Sequence, residues 1–190
     1  MAKNSVLILS LCLTQFACSN VERLDTTEVK EEMEGHKIKK VSPAQIMEQV
    51  EVLGSRISTD LSGELEKQLK GATGARLEEI CQLKNIPLLD SVANRYNLKV
   101  RLLGQPDIGS NKTLYAKEKE VLEAYADIAA QKQTLSSNIQ SVGDSLYIYT
   151  APIAAEKGAG KLCFSDNSGF AVWSIILRKA DIIKSIKPKK

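Results

Sequence analysis

The spacing of apolar residues changes several times along the chain. From Ile46 they recur at three- and four-residue steps: Ile46, Val50, Leu53, Ile57, Leu61, Leu65 and Leu69. That spacing predicts one apolar stripe on a helix of about seven turns. Ser42-Pro43-Ala44-Gln45 supplies its start, with Ser as N-cap, Pro in the first helical position and Gln at the third. Gly54 and Gly63 weaken the helix locally. So long a stripe packs either on the rest of the domain or on a second copy of the chain, and the pattern leaves both open. The glycines Gly71 and Gly74 break the helix. A second one is predicted from about Ala75, with Leu77, Ile80, Cys81, Ile86, Leu89, Val92, Ala93 and Tyr96 on its inner face. Pro87 falls inside this pattern and should kink the helix or split it in two.

The period then shortens. Leu98 to Leu103 alternates like a half-buried strand, and residues 104–110 are dense in turn formers. A third helix is predicted over 114–132, with Leu114, Val121, Leu122, Tyr125, Ile128 and Ala129 inside. Lys117, Glu118, Lys119 and Glu120 are expected to face water. The polar stretch 133–143 carries no clear period. Leu146, Ile148 and Thr150 alternate with Tyr147 and Tyr149, predicting a strand that ends at Pro152. Residues 154–160 read as a loop, Lys161 to Phe164 as a short strand, and Phe170 to Leu177 as the most β-prone segment of the chain. Arg178 to Ile186 reads as a closing helical turn. The sum is an α+β fold, with long N-terminal helices, a small antiparallel sheet and a helix inserted between strands.

The first residues obey another pattern. Met1-Ala-Lys3 is positively charged, Val6 to Leu13 is apolar, and Ala17 precedes Cys18. This describes an export signal over 1–17, too short to span a bilayer comfortably. Cys18 after Ala17 marks a bacterial lipoprotein site, although Gln15 and Phe16 stand where aliphatic and small residues are usual. The alternative is a signal that is left uncleaved or is removed without lipidation. Ser19 after the Cys suits the outer membrane, so the chain is expected on the periplasmic side, held by lipid. Residues 18–41 are mostly polar and charged and read as a flexible tether. A domain over 42–186 follows, and then a basic tail over 187–190.

Composition removes several function classes. Twenty-six basic against 23 acidic residues leave a formal charge of +3, too even for a nucleic-acid footprint. Aromatic residues make up only 5% of the chain, so its core must be aliphatic. The single histidine, His36, lies in the tether among residues that build no site around it, and reads as solvated. Histidine-cluster metal sites are thereby excluded, and no nucleophile–base pair can be assembled, so no enzyme is expected. Gly158-Ala-Gly160-Lys161 fails as a phosphate loop, because Ala155 and Leu162 stand where Gly and Ser/Thr are required. Of four cysteines, Cys12 lies in the signal and Cys18 would carry lipid. Cys81 and Cys163 remain. In an exported protein an even pair invites a bridge, but the sequence does not show that the sulfurs meet.

Three landmarks between Leu77 and Ile186 carry a resemblance. They are Ile80-Cys81 through Ile86-Pro87; Leu98 to Arg101 with Pro106 and the helix ending Val121 to Tyr125; and Tyr147 to Pro152 followed by Cys163 and a Gly-led strand, Gly169 to Leu177. Their order and spacing resemble a family of periplasmic c-type-haem domains with a PAS-like fold, found alone or as sensor modules of bacterial signalling proteins. The family attaches haem through C-x-x-C-H. Here Cys163 keeps the first thiol, Asp166 stands for the second, and Asn167 stands for the axial His. The family's opposite axial ligand corresponds to Cys81. Standard covalent haem is therefore not expected.

The resemblance implies that Cys81 and Cys163 face one cavity, where a collapsed pocket would let them meet in a disulfide. Two buried thiols, or one thiol holding a noncovalent ligand, are the other outcomes. The expected function is a lipid-anchored sensory or binding domain for a small molecule or a partner protein. The alternative is a haem-binding electron-transfer or redox-sensing protein ligated through Cys81 and Cys163. A homodimer through the 42–70 helix stays open.

Overall fold

Ser42 opens the first helix as its sequence requires. The Gln45 N–H donates to Ser42 Oγ at 3.2 Å, and the Ser42 N–H donates to Gln45 Oε1 at 2.9 Å. The helix, α1 (Pro43–Leu69), then runs for 27 residues. The computed structural model describes residues 41–155, 157–164 and 169–186. These all belong to one unit, Lys40–Lys190. The expected signal 1–17, the tether up to residue 40 with Cys18 and His36, the tail 187–190, and Asp166 and Asn167 lie outside the described residues.

All seven stripe residues of α1 are buried within the chain, against Tyr149, Ala151, Trp173, Ile175 and Leu177 of the sheet. Burying a side chain of this size contributes roughly 1.5–3 kcal/mol, which outweighs the local weakness at Gly54. Gly54 itself proves to be a contact point. A Cβ there would lie 2.2 Å from Tyr149 Cγ, so only glycine lets the helix sit on this ring.

The predicted second helix is two helices, α2 (Gly74–Cys81) and α3 (Pro87–Tyr96). Pro87 opens α3, where its missing N–H costs nothing. Leu83 closes α2 from the left-handed region (φ 58°), with Leu83 N–H donating to Ile80 O and Lys84 N–H to Glu79 O.

The sheet comprises β1 (Lys99–Gly104), β2 (Asn138–Val142), β3 (Leu146–Ile153) and β4 (Ala171–Arg178). Its order is β1-β4-β3-β2, every pair antiparallel. β4 lies centrally and is buried from Ala171 to Leu177, which is why its sequence is almost wholly apolar. Between β1 and β2 the chain forms the short α4 (Asp107–Ser110) and the longer α5 (Ala116–Ala130). α6 (Gly158–Cys163) connects β3 to β4, and α7 (Lys179–Ser185) closes the domain. The fold is α+β, with a helix inserted between strands.

Four local expectations are corrected. Residues 133–143 hold strand β2, whose Ile139 packs into the α1-side core while polar Asn138 and Gln140 mask the period. β3 continues through Pro152 to Ile153. Its pairing with β2 ends at Thr150, so Pro152 lies where the outer side of β3 is an edge and no donor is needed. Lys161 to Phe164 is not a strand; most of it completes α6. Gly160 permits that helix to pack, since a Cβ there would lie 2.3 Å from Ala154 O. Glu118 does not face water, as described next.

Candidate functional site

The sheet has two differently built faces. On the α1 face lie Trp173, Ile175, Leu177, Tyr149 and Ala151, together with the stripe. Trp173 is buried, and its indole N–H donates to Ser62 Oγ at 2.8 Å. Cys81 and Cys163 also lie on this side. They are joined in a disulfide, S–S 2.02 Å with Cα atoms 5.2 Å apart. The bridge ties the end of α2 to the end of α6. Directly after Cys163, the Phe164 ring meets Gly104 at the end of β1, 2.6 Å from where a Cβ would stand. As bonded, neither sulfur offers a thiolate to a haem iron or a vinyl group, so the two residues do not fit a haem.

On the opposite face α5 buries Val121, Leu122 and Tyr125 against Phe170, Val172 and Leu103. Tyr125 meets Phe170 edge-on with ring centroids 6.1 Å apart. Its hydroxyl donates to Ser136 O at 2.7 Å. Burial pushes the Tyr125 phenol well above its usual range, and Tyr149 adds to the shift.

The first turn of the same helix carries Glu118, whose side chain is 1% exposed. Its carboxylate accepts from Arg101 Nη1 at 2.5 Å, Ser174 Oγ at 2.6 Å and the Tyr115 N–H at 3.0 Å. Arg101 also donates to Thr113 O at 3.0 Å. A buried carboxylate with three donors is satisfied, and the network pins α5 across β1 and β4. The spacing could have found it, because Glu118, Val121, Leu122 and Tyr125 share one helix face. The local run of charges hid it.

At the other end of α5 from this network, an open cleft of about 820 Å³ lies between the helix end and the end of β3. Leu135, Pro152, Ile153 and Ala155 contribute apolar side chains, and Lys132 and Lys157 are its only charged groups among the described residues. Both lysines are exposed, and neither has an ion-pair partner among the described residues. Lys132 terminates α5 from the left-handed region (φ 55°), its N–H donating to Ala129 O and the Gln133 N–H to Ile128 O. Glycine is the residue that takes this position without penalty; an L residue there costs about 1–2 kcal/mol. No motif in the sequence singles out Lys132 or Lys157.

The chain matches no protein-family model, no curated protein and no solved structure. Among the described residues, no three His, Cys, Asp or Glu side chains gather as a metal site, and no helix is long and apolar enough to cross a membrane.

Proposed function

We propose that the chain is an exported, lipid-anchored binding or sensory domain on a PAS-like sheet, in which a disulfide stands where a haem-bearing relative would hold its cofactor. One observation carries this reading. Cys81 and Cys163, the residues that correspond to the relatives' axial ligand and attachment thiol, are bonded to each other. Three further features support it. The sheet order β1-β4-β3-β2 with α5 between β1 and β2 suits a PAS-like arrangement. The cleft at the end of α5 has the size and mixed lining of a small-molecule site. The charged start, apolar run and Ala17-Cys18 junction suit export and lipidation at Cys18. On this reading the domain binds a small molecule or a partner protein rather than catalysing a reaction.

The test is the intact mass of the full chain purified from its own membranes, with and without reduction and alkylation. The expected protein begins at Cys18, carries acyl mass, lacks haem mass, and takes up alkylating agent at Cys81 and Cys163 only after reduction. A retained haem mass would overturn the reading in favour of a haem protein with unusual cysteine ligation.

A further inference from the structure

We infer that the cleft beside the end of α5 binds a small organic acid, its carboxylate held by Lys132 and Lys157 and its aliphatic part laid against Leu135, Pro152 and Ile153. This rests on the reading of the chain as a binding domain and names the ligand class for it.

Charge gives the first reason. Among the described residues the cleft lining contains two ammonium groups and no carboxylate, and neither ammonium has an ion-pair partner. The neighbouring helix behaves differently: Lys117 pairs with Glu120 at 2.6 Å, and Lys119 approaches Glu123 at 3.9 Å. Two unpaired cations over one cleft complement an anion. The walls give the second reason. Leu135, Pro152 and Ile153 add apolar side chains to a lining that is otherwise largely polar, so a ligand that is anionic throughout would leave these side chains unmatched. A carboxylate with an aliphatic body meets both demands. The third reason lies in the backbone. Lys132 occupies a left-handed position that glycine fills more cheaply, and this conformation sets the lysine at the cleft. Lys157 reaches the cleft from the other side, immediately before α6.

The occupant is thus a monocarboxylate of short to medium chain length. Hexanoate is a suitable probe, since it is soluble and partitions weakly into detergent. Calorimetric titration of the full-length, detergent-solubilised protein should give saturable binding with Kd on the order of millimolar, as the affinity per atom of so small a ligand allows. Hexanol and hexylamine, which share the chain but lack the negative charge, should bind at least about tenfold more weakly. Lys132→Gln combined with Lys157→Gln should remove hexanoate binding, while Lys117→Gln, on the outer face of α5, should leave it unchanged. Equal binding of hexanol and hexanoate, binding that survives the double substitution, or no saturable binding would each overturn the proposal. Failure here is distinct from failure of the broader reading. A disulfide-bonded, haem-free mass with no hexanoate binding would leave the domain a binding module for another ligand. A haem mass would remove the binding-domain reading whatever hexanoate does.

Discussion

The two faces of the sheet solve the same packing problem with different chemistry. The α1 face is a continuous, mainly apolar layer that includes Trp173 and Tyr149, with 27 helical residues laid over β3 and β4 and a disulfide closing one end. The α5 face is smaller, and one side of its apolar patch is a buried ion pair. The first face is held mainly by burial, which carries no direction, with the Trp173–Ser62 hydrogen bond as a directed contact. The second is held by directed bonds from Arg101, Ser174 and Tyr115 to a single carboxylate. What this teaches is a division of labour: the α1 side stabilises the sheet, and the α5 side fixes the helix whose far end forms the cleft.

Removing the staple should give the largest loss. The cysteines are separated by 82 residues, and the loop-entropy estimate for such a bridge is about 4.5 kcal/mol. Cys81→Ser, Cys163→Ser and the double variant should therefore melt far below the parent and nearly together. Unchanged melting of all three would show that the bridge is not what holds the α1 side. On the other face, Glu118→Ala strands the Arg101 guanidinium with an exposure of only 10%, and should cost about 3 kcal/mol or more in denaturant titration. A smaller loss than from a surface pair elsewhere, such as Lys117→Ala, would mean the network is wet.

Gly54→Ala tests the contact between α1 and the sheet. The added methyl meets the Tyr149 ring near its root, and overpacking of this kind costs about 1–3 kcal/mol despite alanine's better helix propensity. Lys132→Gly gives the smallest effect and reverses its sign. Relief of the left-handed lysine should stabilise the protein by about 1 kcal/mol while weakening hexanoate binding, so that thermal melting and calorimetry move in opposite senses. Alkaline pH should touch the α5 side through Tyr125. Its phenol titrates higher when folded, so its contribution is complete below about pH 10, the ordinary tyrosine value, and is lost as pH rises through the folded value. A Tyr125→Phe variant should lose less stability than the parent in that window, as followed by melting temperature against pH.

The sequence pattern conveys the α1 side well. Seven residues at helical spacing and a capping-box start predict the helix, though not whether it packs on the domain or on a second copy, and all seven are buried within the chain. β4 is equally clear, being apolar from Ala171 to Leu177 except at Ser174 because both faces are covered. β2 is hidden because it is an edge strand whose one face holds Asn138 and Gln140, so alternation carries little contrast. Glu118 is hidden because its partners, Arg101 and Ser174, are 17 and 56 residues away, and charge runs read as solvated unless such partners are known. The cleft is hidden for the same reason. Lys132 and Lys157 become neighbours of one space only when the end of β3 is set beside the end of α5. The cysteine pair stands between these cases: two thiols in the folded part invite a bond, but only the third dimension brings α2 to α6.

The length of that staple bears on how the chain would have to mature. Under the proposed export, Cys81 emerges on the far side of the membrane well before Cys163, and both Cys12 and Cys18 precede it. Cys18 is nearer to Cys81 in sequence than Cys163 is, and loop-closure entropy rises so slowly with length that it barely separates the two pairings. Fidelity must come from chemistry and timing instead. Under the proposed lipidation, acylation would block the Cys18 thiol and cleavage would discard Cys12. A chain that escapes both steps enters an oxidising compartment with four competing thiols, so a Cys18→Ser variant should form fewer mispaired products than an unlipidated parent.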